Sequence, residues 1–570
     1  MAALKVSWVN LPIITICLAF MPGSAGQAEV VLDGTLGRAG PLPGPHYQVP
    51  AAAGKARAAN LFHSFEAFNV GARESVTFEV PDPIQRIIGR ITGGDLSRID
   101  GQLTTARPVA ELWLINPAGV ELGKNAKLDV EGALRLSTAD FIAFEDGIRF
   151  NARDAPKPLL SSASPVAFGF LAEQPADIVI NARALEIPLN ATLSLVGGDL
   201  TFRNVLLVAF DGRIELASVG SRGRVNVAPG GLALEPSSRG GTIAFSEDSF
   251  LEVLSFGSGR MLIRSGQLVL ETSTLAWTAF VPDNPDLAID IEVEKLWLRA
   301  SDIRTLNLAE GAAGSGGNLR VAARQIDLSA AGTISASSDF GLGGDLLLIA
   351  RDSLRVEGTD SGINNITSDL AEDAPRVGNV RIEAGQISLV DGGMISTEGL
   401  GGAGGSIDLR VRDLLTLANG AISTNIIGSR NETAGDIDIA QPVALTLVQG
   451  SRITANAVES LNGRGRGGNI RINADTLLRS PDTTIRASAA LGIEGRVDIA
   501  PPDVDLSSAL TSLPARFFDA AALLSTACAR RAAEHSRLVV RNRPLPADFA
   551  ALPDNRTEAP RAAAAGGCGD

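Results

Sequence analysis

The chain has 570 residues, 45% of them hydrophobic and 20% charged, with 61 glycines, 29 prolines and 3 cysteines. These proportions exclude a disordered chain and call for a large packed core, and the lack of a G-X-Y period excludes collagen although glycine exceeds the usual ~7%. A formal net charge of −14, from 50 Lys+Arg against 64 Asp+Glu, offers nucleic acid no electrostatic footing, because phosphate binding needs local positive potential.

Residues 1–28 combine Lys5, an apolar stretch from Leu11 to Phe20 and the small-residue string Gly23-Ser-Ala-Gly-Gln-Ala28, the layout of an export signal cleaved near Ala28. The apolar stretch is about half of the ~20 residues a spanning helix needs, so an uncleaved anchor is the lesser alternative. Next come alternating runs separated by glycine turns, which predict short strands: Val76-Thr-Phe-Glu-Val80, Ile87-Ile-Gly-Arg-Ile91 and Glu111-Leu-Trp-Leu-Ile115. Around them stand the strings Asn60-Leu-Phe-His-Ser-Phe-Glu-Ala-Phe-Asn-Val70, Ile91-Thr-Gly-Gly-Asp-Leu-Ser-Arg-Ile-Asp-Gly101 and Leu114-Ile-Asn-Pro-Ala-Gly-Val120. Gly123-Lys-Asn-Ala-Lys-Leu-Asp-Val130 and Leu136-Ser-Thr-Ala-Asp-Phe-Ile-Ala-Phe-Glu-Asp-Gly147 follow. In the third string Asn116-Pro117 begins a turn and Gly119 tolerates the positive φ that would end it.

In register and in order over residues 29 to 165, these strings resemble the filamentous-haemagglutinin-type N-terminal domain of two-partner secretion exoproteins. The resemblance implies a right-handed β-helix with an N-terminal cap and side hairpins. It also implies recognition by a dedicated outer-membrane β-barrel transporter and a role in seeding the folding of the passenger outside the cell. The family's Asn-Pro-Asn-Gly motif falls on Asn116-Pro117-Ala118-Gly119, with Ala118 in place of the second Asn. The turn roles survive that replacement; a contact through the missing amide does not. Asn60, Asn116, Pro117 and Gly119 are therefore the candidate residues for transporter recognition and for shaping the cap, two roles that are compatible.

From about residue 317 the phrase Gly-x-apolar-x-apolar recurs at Gly317, Gly344, Gly378, Gly405, Gly435, Gly468 and Gly495, in steps of 27, 34, 27, 30, 33 and 27 residues. Each phrase leads to a second alternating segment, such as Gln325-Ile-Asp-Leu328, and a third, such as Gly332-Thr-Ile-Ser335. The distance from the first glycine to the third-segment Ile is 17 residues for Ile334, Ile395, Ile422 and Ile485, so insertions fall after the third segment. Three half-buried strands per unit bury their apolar faces only if the units coil and stack, which makes the fold all-β, a parallel β-helix or solenoid. Leu319, Leu346, Val380, Ile407, Ile437 and Ile470 are expected to form one internal stack and the four isoleucines another. Weaker copies at Gly198, Gly212, Gly241 and Gly266 extend the pattern towards the N-terminus.

Catalytic constellations are sparse. His46, His63 and His535 lack partners at metal-ligand spacing, so no metal or cofactor is expected, and His63 reads as a packing residue between Phe62 and Phe65. Cys528 and His535 would stand about 10 Å apart on a helix, beyond proton-transfer reach. Outward Asp327, Asp345, Asp408, Asp436 and Asp438, with Arg320, Arg381 and Arg471, are what a one-side-buried strand needs. They also leave open an alternative, a secreted carbohydrate-active β-helix acting as polysaccharide lyase or glycosidase. From 506 the chain turns Ala/Leu-rich and helical in pattern, as a short C-terminal cap or tail. Cys17 lies in the signal, so Cys528 and Cys568 form one disulfide or remain free thiols. The expected order is signal peptide 1–28, secretion domain 29–180, β-helix repeats 181–505 and tail 506–570. The expected function is a non-enzymatic surface adhesin, with the outer-membrane transporter and a host-cell or matrix carbohydrate or protein as partners.

Overall fold

The computed structural model describes residues 29–505 apart from 109, 154–157, 282–286, 310–316, 341, 369–376, 401–402, 428–432, 459–464, 491 and 501–503. The chain divides into two units, Met1–Ala509 and Leu510–Asp570. The expectations for the signal, the helical tail, His535, Cys528 and Cys568 lie outside the described residues.

Among the described residues all regular structure is strand, except a single 3-10 turn at Ala51–Ala53. The chain starts antiparallel: Val30–Asp33 pairs with Ala39–Pro41 and with Asn60–Phe68, and Lys55–Arg57 folds back on the start of Asn60–Phe68. These short strands occupy the first edge of the stack, which would otherwise present unpaired N–H and C=O groups.

From Asn60–Phe68 onward the coil strands stack in parallel. One register column runs Leu61, Ile87, Leu112, Leu134, Leu193, Ile214, Met261, Ile289, Leu319, Leu346, Val380, Ile407, Ile437, Ile470 and Val497. All but the terminal Val497 are buried. At about 4.8 Å per rung the column is roughly 67 Å long, and each fully buried aliphatic side chain contributes on the order of 2 kcal/mol. The expected first stack is the C-terminal part of this column. The second contains Ile334, Ile395, Ile422 and Ile485 and takes in Ile303, Ile363 and Ile453 as well. The first two segments of each middle unit, read from sequence as separate strands, run on as one bent strand, as in Asn318–Ser329 and Leu346–Glu357. The register shifts at the bend, between Ala323 and Gln325.

Five of the seven phrase glycines serve close approach rather than a turn. A Cβ on Gly378, Gly405, Gly435, Gly468 or Gly495 would sit 1.8 to 2.1 Å from the carbonyl oxygen of the phrase glycine one coil earlier. Glycine is required because consecutive backbones touch. The residue that follows each glycine ties the coils together: the Asp345 carboxylate accepts the Asn379 amide and side-chain N–H groups at 2.8 and 3.0 Å, and Asp436 accepts those of Asn469 at 2.7 and 3.1 Å. Inside the coil, the Thr305, Thr397 and Thr424 hydroxyls donate to the carbonyls of Gly317, Gly405 and Gly435 at 3.0, 2.6 and 2.6 Å. This closes the base of each insertion and satisfies polar groups that are fully buried.

The N-terminal coils differ by being covered on their outer face. An antiparallel side sheet of Phe141–Phe144, Arg149–Asn151, Pro165–Phe170, Gly223–Ala228 and Gly231–Leu234 builds a second core with Phe62, Ile88, Trp113, Ile115, Val196 and Ala217. Phe62 meets Phe150 with ring centroids 5.0 Å apart, and Trp113 meets Phe168 at 5.1 Å. Strands buried on both faces need continuous apolar runs, which accounts for Leu112-Trp-Leu-Ile115 where later coils alternate. Pairing continues through residue 180, Ala133–Ser137 lying beside Thr192–Gly197.

Candidate transporter-recognition region

Strand Glu111–Ile115 ends on Asn116, which is 1% exposed and fully engaged. Its side-chain amide donates to the Asp95 carbonyl and the Ser97 hydroxyl, both at 2.9 Å, and its side-chain oxygen accepts the Ala118 N–H at 2.9 Å. The Gly119 N–H returns to the Asn116 carbonyl at 3.0 Å, closing a tight turn. Gly119 has φ +117°, and a Cβ there would stand 2.8 Å from the Leu96 side chain. Pro117 and Ala118 are half-buried, on the outside of this corner.

Asn60 opens the first coil strand and is fully buried. It donates to the carbonyls of Ser161 and Ala163 at 3.1 and 2.7 Å, holding the approach to the side sheet against the coil. Asn60 stands in register with Arg86 and Glu111. Asn116 lies five residues further along the strand direction, about 16 Å away at the usual rise. The structure therefore places the two asparagines at opposite ends of one sheet, both buried, Asn60 facing the side-sheet approach and Asn116 the turn beside Ser97.

Sequence reasoning missed two buried charge networks under the cap and side sheet. Arg90 is fully buried with its guanidinium 4.8 Å over the Phe150 ring. It donates to Ser64 (2.8 Å), Thr35 (3.0 Å) and the Asn151 carbonyl. Ser64 and Thr92 in turn donate to Asp33 at 2.6 and 2.9 Å. Burial opposes ionisation of Asp33, but the Ser64, Thr35 and Thr92 hydrogen bonds outweigh it and hold the carboxyl below its usual range. Burial also pulls the Arg90 guanidinium down, against the favourable charge of Asp33. Four rungs further along the same sheet, Glu215 accepts from Arg135 at 2.9 Å and Ser194 at 2.6 Å, with Arg213 at 3.6 Å. The available cue was a charge inside an apolar run, as in Ile87-Ile-Gly-Arg-Ile91; what hid it was that period-two reading sends such a residue to solvent.

Beside the Asn116 corner an open, charged cleft of about 520 Å³ is lined by Arg98, Asp100, Glu121, Lys124, Arg183 and Arg203, among others. Of the histidines, His46 is exposed, 2.9 Å from the Ser75 hydroxyl, and His63 is buried among Phe65 and Phe78. The outward carboxylates of the later coils interleave with arginines: Asp408 lies 3.8 Å from Arg381 and 3.5 Å from Arg410, and Asp438 3.6 Å from Arg471. Among the described residues no three His, Cys, Asp or Glu side chains gather as a metal site.

A capped parallel β-helix with an extra-helical side sheet is thus the class of protein this chain defines. Residues 28–246 match the family model described as the TPS secretion domain. The match ends just beyond the last side-sheet strand, Gly231–Leu234. A stretch of 68 residues is 34% identical to the heme/hemopexin-binding protein of Haemophilus influenzae, covering 12% of this chain and 7% of that protein. The HMW1 secretion domain from Haemophilus influenzae is similar in structure at a TM-score of 0.39 and 14% identity, with 80% of this chain and 94% of that one covered.

Proposed function

We propose that this chain is the exported partner of a two-partner secretion system, recognised through its secretion domain by an outer-membrane β-barrel transporter and acting at the cell surface of a Gram-negative bacterium as a haemagglutinin-like adhesin. The observation that carries this reading is the coincidence of the family match, residues 28–246, with the capped and doubly covered part of the β-helix. In this reading Asn60, Asn116, Pro117 and Gly119 shape the corner and the side-sheet junction. Contact with the transporter falls to exposed groups beside them, the outer edge at Pro117-Ala118 and the Arg98–Glu121 cleft. The lyase or glycosidase reading is not favoured, since Asp408 and Asp438 are paired with arginines and Asp345 and Asp436 are engaged by Asn379 and Asn469.

The test is the location of the full chain in cells with and without the neighbouring candidate transporter. Surface or medium protein that depends on the transporter supports the reading; periplasmic accumulation in both strains overturns it. An Arg98→Glu variant with unchanged melting temperature is expected to accumulate in the periplasm of transporter-bearing cells.

A further inference from the structure

Trp297 stands apart from the other described tryptophans. Trp113 and Trp277 are 2% and 0% exposed, whereas Trp297 is 45% exposed, in the outward row of strand Leu287–Arg299. An exposed Leu is ordinary, but a half-bare indole on an otherwise polar sheet face is a candidate contact. In register, Val269 lies one rung before it, Asp327 one rung after it, and Arg355 beyond. Lys295 and Arg299 flank it on its own strand, and Gln325 and Ser329 flank Asp327. Burial holds the Asp327 carboxyl above its ordinary range, against the opposing pull of Arg355 and of the Trp297 indole N–H near it.

The chemistry around that face is balanced. Lys295, Arg299 and Arg355 are matched by Glu271, Asp327 and Glu357, and Arg355 is held by Glu357 at 2.9 Å. An anion gains no net field there. A protein partner needs about 800 Å² a side with an apolar centre, yet beyond Val269 the indole's register and strand neighbours are polar or charged. A half-exposed indole ringed by both donors and acceptors suits a sugar ring: its C–H face is polarised positively and packs on the negative face of the indole, while each hydroxyl both donates and accepts.

We propose that the Trp297 face binds a neutral pyranose oligosaccharide, one ring stacked on the indole and its hydroxyls bonded to Asp327, Gln325 and Lys295. This gives the surface-contact part of the proposed function a site and a ligand class, and binding in solution does not depend on the export route.

The experiment titrates the purified full chain with cellohexaose, laminarihexaose, mannohexaose and xylohexaose, followed by calorimetry and by acrylamide quenching of tryptophan fluorescence. At least one hexaose is expected to saturate the chain and to shield Trp297 from acrylamide. Trp297→Ala is expected to weaken that binding tenfold or more and Asp327→Asn severalfold, both with an unchanged melting temperature because neither side chain lies in the core. Absence of binding to all four sugars, or equal binding by Trp297→Ala, overturns the proposal. So does salt-sensitive binding of polygalacturonate in their place, or self-association that buries Trp297. A chain that reaches the medium but binds no hexaose overturns this proposal alone; one that binds a hexaose yet never leaves the periplasm overturns the export reading alone.

Discussion

His63 sits in the cap with both ring nitrogens unpartnered, 6.1 Å from the Phe65 ring and 5.9 Å from that of Phe78. Burial pushes its pKa down to about 4. The unfolded chain binds the proton near pH 6.5 and the folded chain only near 4, so His63 costs nothing above pH 6.5 and destabilises the fold progressively as pH falls towards 4. Between pH 7.5 and 5.0 that amounts to about 2 kcal/mol. His63→Leu is expected to remove this part of the pH dependence while keeping the packing, as read from urea midpoints at the two pH values. Equal drops in variant and parent would acquit His63. The Asn116 corner separates scaffold from contact in the same way. Asn116→Ala strands the Ala118 N–H and two acceptors, an expected loss of about 1 to 3 kcal/mol. Ala118→Asn restores the family's residue at a half-buried outer position and is expected to change stability by less than about 0.5 kcal/mol. Higher export yield from Ala118→Asn at constant melting temperature would assign the second amide to the transporter; unchanged yield would confine the motif to the turn.

At the scale of the coil, the recurring glycine serves close approach, and that has a measurable consequence. The Cβ of Gly435→Ala would meet the Gly405 carbonyl oxygen at 1.8 Å, so backbones in contact must separate. The expected cost is about 3 kcal/mol or more, the range of severe overpacking. Gly450 has φ +71° with nothing within 4 Å of a Cβ, so Gly450→Ala pays only backbone strain, about 1 to 2 kcal/mol. Thermal melts that rank the two variants the other way would refute the stacked-backbone account. This contrast also marks the limit of reading the sequence. Alternation and the constant spacing of 17 residues placed Leu319 to Ile470 and Ile334 to Ile485 in their columns, because a side chain's face follows from parity alone. Parity cannot say whether a glycine turns the chain or lets another backbone come near, since both need the missing Cβ. Nor can it say that an outward residue is covered from outside, which is why Arg90 and Glu215 became visible only with the side sheet in place. At the candidate site the turn chemistry of Asn116 to Gly119 was legible, and the burial of both asparagines was not.

Over the whole described stack, the two ends obey different rules. Beyond Leu234 each coil pairs with the coil before and the coil after it, so stability there is close to a sum of nearest-neighbour terms. Before it, the side sheet joins residues 141–170 to 223–234 across intervening coils, and Glu215 ties Arg135 to Arg213. Coils in the first region are therefore exchangeable and those in the second are not. Deleting residues 405–434, one full period from Gly405 to the residue before Gly435, brings Val380 into register with Ile437 and preserves every column. Such a variant is expected to fold, to keep its melting temperature within a few degrees and to be exported like the parent. Deleting half as many residues, 405–419, leaves the apolar columns out of phase, and deleting 192–212 removes a coil to which the side sheet and the Glu215 network are both anchored. Both of these are expected to lose the cooperative melt and surface delivery together. If the full-period deletion failed as badly as the others, the coils would not be independent units, and the secretion domain would have to act on the passenger through more than the rung it presents.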